Sequence, residues 1–196
     1  MVSITLLLTC VMCARFSSAG ESSDPYIGKL LVAQPQVHDP RFAKSVVFVV
    51  AHDSTGTMGL VINKVMGEID SQQVLESLGL EPTKRQMDLE LRFGGPVELE
   101  RGFVLHSVDF LPESSRRVVS GIAFTADAET MRAIIEKRGP KRYLIAFGYA
   151  GWSEGQLENE VKRGDWRILP SDQSKVFTDA PAQLWDDLMK DRIMRM

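Results

Sequence analysis

The chain has 196 residues, 44% hydrophobic and 25% charged, with a net charge of -3. That is enough for one domain with a substantial core and too little for two. The acidic balance gives no general attraction to phosphates, so nucleic acid is a partner to test without support from charge.

Both cysteines, Cys10 and Cys13, lie near the N-terminus. The body therefore holds no thiol nucleophile, disulfide or cysteine-type zinc site. Their C-x-x-C spacing lacks the strand–helix context of a redox motif. Around them "ITLLLTCVMCA" is an eleven-residue apolar run, too short to span a bilayer. The small residues up to Ala19 resemble a signal cleavage site, yet no base precedes the run and Arg15 follows it. Two readings stay open: a signal peptide, which would make the protein exported, or an upstream start, with Met12 as the true one. Residues 1–25 are read as an N-terminal extension and 26–193 as one domain.

"GKLLVAQ" (28–34) predicts a strand stopped by Pro35, and "VHDPRF" (37–42) a turn. "SVVFVVAH" (45–52) is a continuous β-branched run, the pattern of a strand buried on both faces. "MGLVINK" (58–64) follows across "DSTGT", so the two form a hairpin with Gly56 at its turn. Asp70 with Gln73 makes a capping-box signal for a helix carrying Val74, Leu75 and Leu78 and ending at Gly79. Strands are predicted at 89–97, breaking at Gly94-Gly95-Pro96, at 102–107, and at 116–125, weakened by Gly121.

From Asp127, Met131, Ile134 and Ile135 recur at helical spacing until Gly139-Pro140. "RYLIAFGY" (142–149) reads as a buried strand. Ser153 with Gln156 suggests a second capping box, with Trp152 and Leu157 as a hydrophobic staple, for a helix running to Arg163-Gly164. Glu154 at its start opposes a phosphate there, and the glycines fit neither nucleotide-loop spacing, so Gly148 and Gly151 are read as a joint. "DWRILP" (165–170) is a last strand, and Asp179-Pro181 opens a helix with Leu184, Trp185, Leu188 and Met189 on one stripe. Hairpin signals without a βαβ rhythm favour an α+β fold.

These landmarks resemble the AlgH/YqgE family. The matching stretches are "GKLLVAQPQVHDPRF", "GTMGLVINK", "FGGPVELERGFVLHS", "GIAFTAD" and "GYAGWSEGQLENEV", with Trp166 and Pro170 following. The resemblance implies a bifurcated, mostly antiparallel sheet forming a pseudo-barrel with helices packed outside, in a cytosolic protein. It supplies no agreed activity and no cofactor. A transcriptional-regulator label attached to one branch brings no DNA-reading element: neither helix-turn-helix nor zinc-finger patterns are present. The partner is an unidentified small molecule or protein.

No zinc-binding H-E-x-x-H pattern surrounds His38, His52 or His106. His52 and His106 end predicted strands and can converge with Asn63 and Lys64 on a pocket, or simply cap a sheet rim. Gly94 and Gly95 can present amides to an anion, or let two backbones approach. Arg101 can fork a carboxylate or phosphate, or pair with Glu98 or Glu100. "HSVD" (106–109) contains the letters of a hydrolase triad, but adjacent strand residues point to opposite faces. The basic groups at 116–117 and 136–142 read as solvated surface.

Overall fold

A computed structural model describes residues 24–193. The N-terminal apolar run, the Cys10–Cys13 pair and the choice between signal peptide and alternative start lie outside these residues. Ten strands and five helices are found among the described residues: β1 Lys29–Ala33, β2 Val46–Asp53, β3 Gly56–Val61, β4 Val65–Asp70, α1 Ser71–Ser77, β5 Asp88–Phe93, β6 Val97–Ser107, β7 Arg116–Val119, β8 Ile122–Thr125, α2 Ala128–Ile135, β9 Tyr143–Ser153, α3 Gln156–Lys162, β10 Trp166–Pro170, α4 Gln173–Val176 and α5 Pro181–Ile193.

The sheet runs β10-β1-β2-β3-β9-β6-β8-β7, with β4 and β5 branching from β9. Every pairing is antiparallel except β5 with β9. The fork lies in β9. Its Ile145–Phe147 segment pairs with β5, whereas Ala150–Ser153 pairs with β3. Between them Gly94 joins both branches, donating to the Phe147 carbonyl at 2.8 Å and accepting from Val61 N–H at 2.8 Å. A Cβ on Gly94 would stand 2.2 Å from Gly148 O, and one on Gly95 2.1 Å from the Tyr149 carbonyl carbon. Only glycine lets these backbones meet.

β2 shows why the apolar run is continuous. Val46, Phe48 and Val50 enter one core with Phe103, Leu105 and Leu184. Val47 and Val49 enter another with Trp152, Leu157 and Trp166. A third cluster packs Val74, Leu75, Met131 and Ile135 of α1 and α2 over Leu89, Val104 and Ile145. The period of two along the strand sends alternate side chains to opposite faces, both covered. α5 closes the first core with Leu184 and Leu188, while Trp185 Nε1–H donates to Ala33 O at 2.7 Å.

Four expectations need correction. β4 and α4 carry little apolar periodicity and were not predicted; β4 exists because its backbone pairs with β5. The 116–125 segment is a hairpin, turning at Gly121 (φ 82) between β7 and β8. β6 begins at Val97, five residues before the expected start. β9 continues through both glycines to Ser153, so Ser153 is strand and Gly155 (φ 70) caps α3. Half of the expected box survives, since Gln156 Oε1 accepts from Ser153 N–H at 3.0 Å. Asp70 and Asp127 do cap α1 and α2, accepting from Gln72 and Glu129 N–H.

Candidate functional site

The expected convergence of His52, Asn63, Lys64 and His106 does not occur. In the β2–β3 hairpin His52 faces Thr57 beside the turn, whereas Asn63 follows Val61, which faces Val47. Six residues of strand separate the two positions, about 20 Å. His106 faces Tyr143 at the start of β9, while Thr57 faces Trp152 near its end, about 30 Å along the strand.

Each of the four has local partners instead. His52 Nδ1 lies 2.7 Å from Thr57 Oγ1, and its Nε2 is 3.4 Å from Glu158 and 3.8 Å from Asp24. Buried Asn63 accepts from Val46 N–H at 2.7 Å and donates to Lys44 O at 2.9 Å. Lys64 Nζ donates to the carbonyls of Pro40 and Arg41, and burial lowers its pKa. Asn63 and Lys64 thus tie down the 37–45 loop. His106 is fully buried, with Nε2 2.8 Å from Ser115 Oγ and Nδ1 3.1 Å from Ser107 O. Ser107 turns to Asp109 and the Arg142 carbonyl, so the "HSVD" side chains do diverge. Gly94 and Gly95 form the backbone contact at the fork, and the Gly94 amide is already engaged by Phe147 O.

Arg101 is different. β6 meets β9 at Val97 and again from Gly102, and meets β8 only from Val104 onward. Glu98–Arg101 therefore belong to neither ladder. Glu98 sits at φ 49, a left-handed conformation uncommon outside glycine, at the start of this bulge. The extruded segment stands between two concavities. One, of about 560 Å³, is lined by Asp53, Met58, Arg101, Phe103, Phe124 and Tyr149, among others. The other, of about 740 Å³, is lined by Leu78, Pro96, Leu99 and Glu100, and shares Glu98, Arg101 and Ala126 with the first.

The floor of the first groove is aromatic. Phe103 stacks on Phe124 at 5.5 Å between centroids and meets Tyr149 edge-on at 6.0 Å. The Arg101 guanidinium lies 5.2 Å above the Phe103 ring and donates through Nη1 to Glu98 Oε2 at 2.9 Å. Both members of that ion pair are about half exposed. Asp53, across the groove, accepts from Thr55 N–H and Oγ1–H, and those bonds hold its carboxyl below the usual range. The arrangement offers one cation and a flat apolar surface, bordered by carboxylates. Sequence reading found Arg101 but missed Phe103, Phe124 and Tyr149, because only strand register places them together.

Comparison with known proteins agrees with this architecture. The AlgH-like family model matches residues 30–195. A UPF0301 protein of Methylococcus capsulatus is 40% identical over 163 residues, 83% of this chain and 89% of that protein. One from Rhodospirillum rubrum is 43% identical over 153 residues, covering 78% and 80%. The solution structure of AlgH from Pseudomonas aeruginosa superposes with a TM-score of 0.74 at 35% identity, covering 89% of this chain and 93% of that one. A Corynebacterium diphtheriae protein shares the fold at 23% identity, with a TM-score of 0.68 and coverage of 88% and 90%. The chain belongs to the AlgH-like family. No helix among the described residues is long and apolar enough to cross a membrane.

Proposed function

We propose that residues 26–193 act as one cytosolic binding or regulatory domain whose ligand enters the groove beside Arg101. The observation carrying this reading is the Glu98–Arg101 bulge: a strained non-glycine residue and an extruded arginine between two concavities. Backbone strain persists where surrounding structure over-determines it, and clusters at ligand clamps and switches. An aromatic floor beside a partly exposed guanidinium suits a small molecule with an apolar body, or a side chain presented by a protein.

The test is a thermal-shift and native mass-spectrometry screen against organic acids and nucleotides. Stabilisation by a hit should disappear in Arg101→Ala while the melting temperature of the unliganded variant stays within about 2 °C of wild type. Stabilisation that survives the substitution removes the groove from the argument. The regulator label is tested separately: a DNA complex must weaken steeply with salt, and no gel shift at low salt rejects direct DNA binding. Compartment is checked by the intact mass of the natively expressed protein, where cleavage after Ala19 would overturn the cytosolic reading.

A further inference from the structure

We propose that the groove takes a small monoanionic carboxylate with a flat apolar body, and that Glu98 occupies Arg101 as that ligand's internal stand-in. This inference rests on the groove reading above and specifies its ligand class. The Arg101 guanidinium has two faces of use. Its carbon lies 5.2 Å from the Phe103 ring centroid, and Nη1 donates to the Glu98 carboxylate. No other described side chain accepts from Arg101, so further N–H donors of the fork remain for an incoming anion.

The charge around the groove selects the anion. Among the described residues Arg101 is the one cation lining the two concavities, against Asp53, Glu98 and Glu100, while Arg116 lies near enough to Asp53 to offset part of its charge. A phosphate dianion would meet Glu98 and Glu100 beside an Asp53 partly offset by Arg116, with Arg101 alone to pair both its charges. A carboxylate brings one charge, in the same geometry that Glu98 already shows to be accommodated. Glu98 holds φ 49 at the start of the bulge while its carboxylate pairs with Arg101. Exposed pairs of this kind are weak, so an incoming carboxylate can displace Glu98, and the part-exposed rings of Phe124 and Tyr149, packed on buried Phe103, then receive the ligand's ring.

The experiment uses four probes on the full chain by calorimetry and ligand-observed NMR: phenylpropionate, phenylpropionamide, phenylpropylamine and phenyl phosphate. Wild type should bind phenylpropionate, with the amide and amine at least about tenfold weaker. Glu98→Gln should tighten phenylpropionate about three- to tenfold, by freeing Arg101 and removing a repelling charge. Arg101→Gln should abolish binding, and Arg101→Lys should restore part of it. Absence of any probe binding to both wild type and Glu98→Gln overturns the groove reading itself. Binding of the amine or amide as tightly as the carboxylate leaves the groove standing and overturns the anion class. Preference for phenyl phosphate overturns the monoanion argument. Unchanged affinity in Glu98→Gln overturns the stand-in role.

Discussion

Trp152 and Trp166 donate their indole N–H groups to the same oxygen of Glu160, at 2.7 and 2.8 Å. Their rings meet edge-on at 5.8 Å, and both are almost wholly buried. The other carboxylate oxygen accepts from Gln156 at 2.9 Å. One residue of α3 thereby ties the end of β9 to the start of β10. The glycine-rich stretch before α3 is a joint whose fastening lies at Glu160.

Glu160→Ala should therefore destabilise the fold by about 2 kcal/mol, since two buried indole donors lose their acceptor. Glu160→Gln keeps one acceptor oxygen and should lose less. Urea unfolding followed by tryptophan fluorescence measures both, and equal losses would show that a neutral amide oxygen cannot stand in for the carboxylate.

The fork predicts a contrast between glycines. Gly95→Ala puts a methyl group into the Tyr149 backbone and should cost about 3 kcal/mol or more, or prevent folding. Gly155 lies in the milder left-handed region (φ 70, against 153 at Gly95) with open space around it, so Gly155→Ala should cost only about 1 kcal/mol. Comparable denaturation midpoints for the two variants would contradict close approach at the fork.

Arg92 is a buried cation held at three points, one on its own strand and two on connecting segments. It donates to Glu90 Oε1 at 2.9 Å, to Ile62 O at 2.5 Å and to Thr178 O at 3.4 Å. Lysine cannot reproduce that planar fork, so Arg92→Lys should lose about 2 kcal/mol. A midpoint matching wild type would show the carbonyl contacts to be dispensable.

His106 supplies a pH dependence. Burial is the main influence on its imidazole and holds it below the ordinary value of 6.5. The unfolded chain then binds a proton near that value which the folded chain resists. The stability contribution is full above about pH 6.5 and is lost as pH falls toward the folded-state value. The depressed carboxyls of Asp53, Asp70 and Asp109 act in a separate window, below their unfolded values near 3.8. His106→Gln should flatten the decline in urea midpoint between about pH 7 and about pH 5. An unchanged slope would assign that decline to another group.

Much of the fold was legible because it is local. The β2 run, the Gly56 hairpin, the Asp70 cap, the helical spacing from Asp127 and the Pro181 start of α5 each depend on residues within a few positions of one another. Such signals survive in one dimension, because a strand period or a capping bond involves sequence neighbours. Arg101 too was identifiable, as an arginine beyond a glycine break. Tertiary structure decided the rest. β4 has mostly exposed side chains and becomes a strand only through β5. Gly148 and Gly151 read as a joint before the helix, yet β9 runs through both to Ser153, with Gly94 and Gly95 lying against its backbone. Strand register separates His52 from His106 and gathers Phe103, Phe124 and Tyr149 beneath Arg101. Register and backbone approach depend on partners distant in the chain, and a single sequence does not state which partners those are.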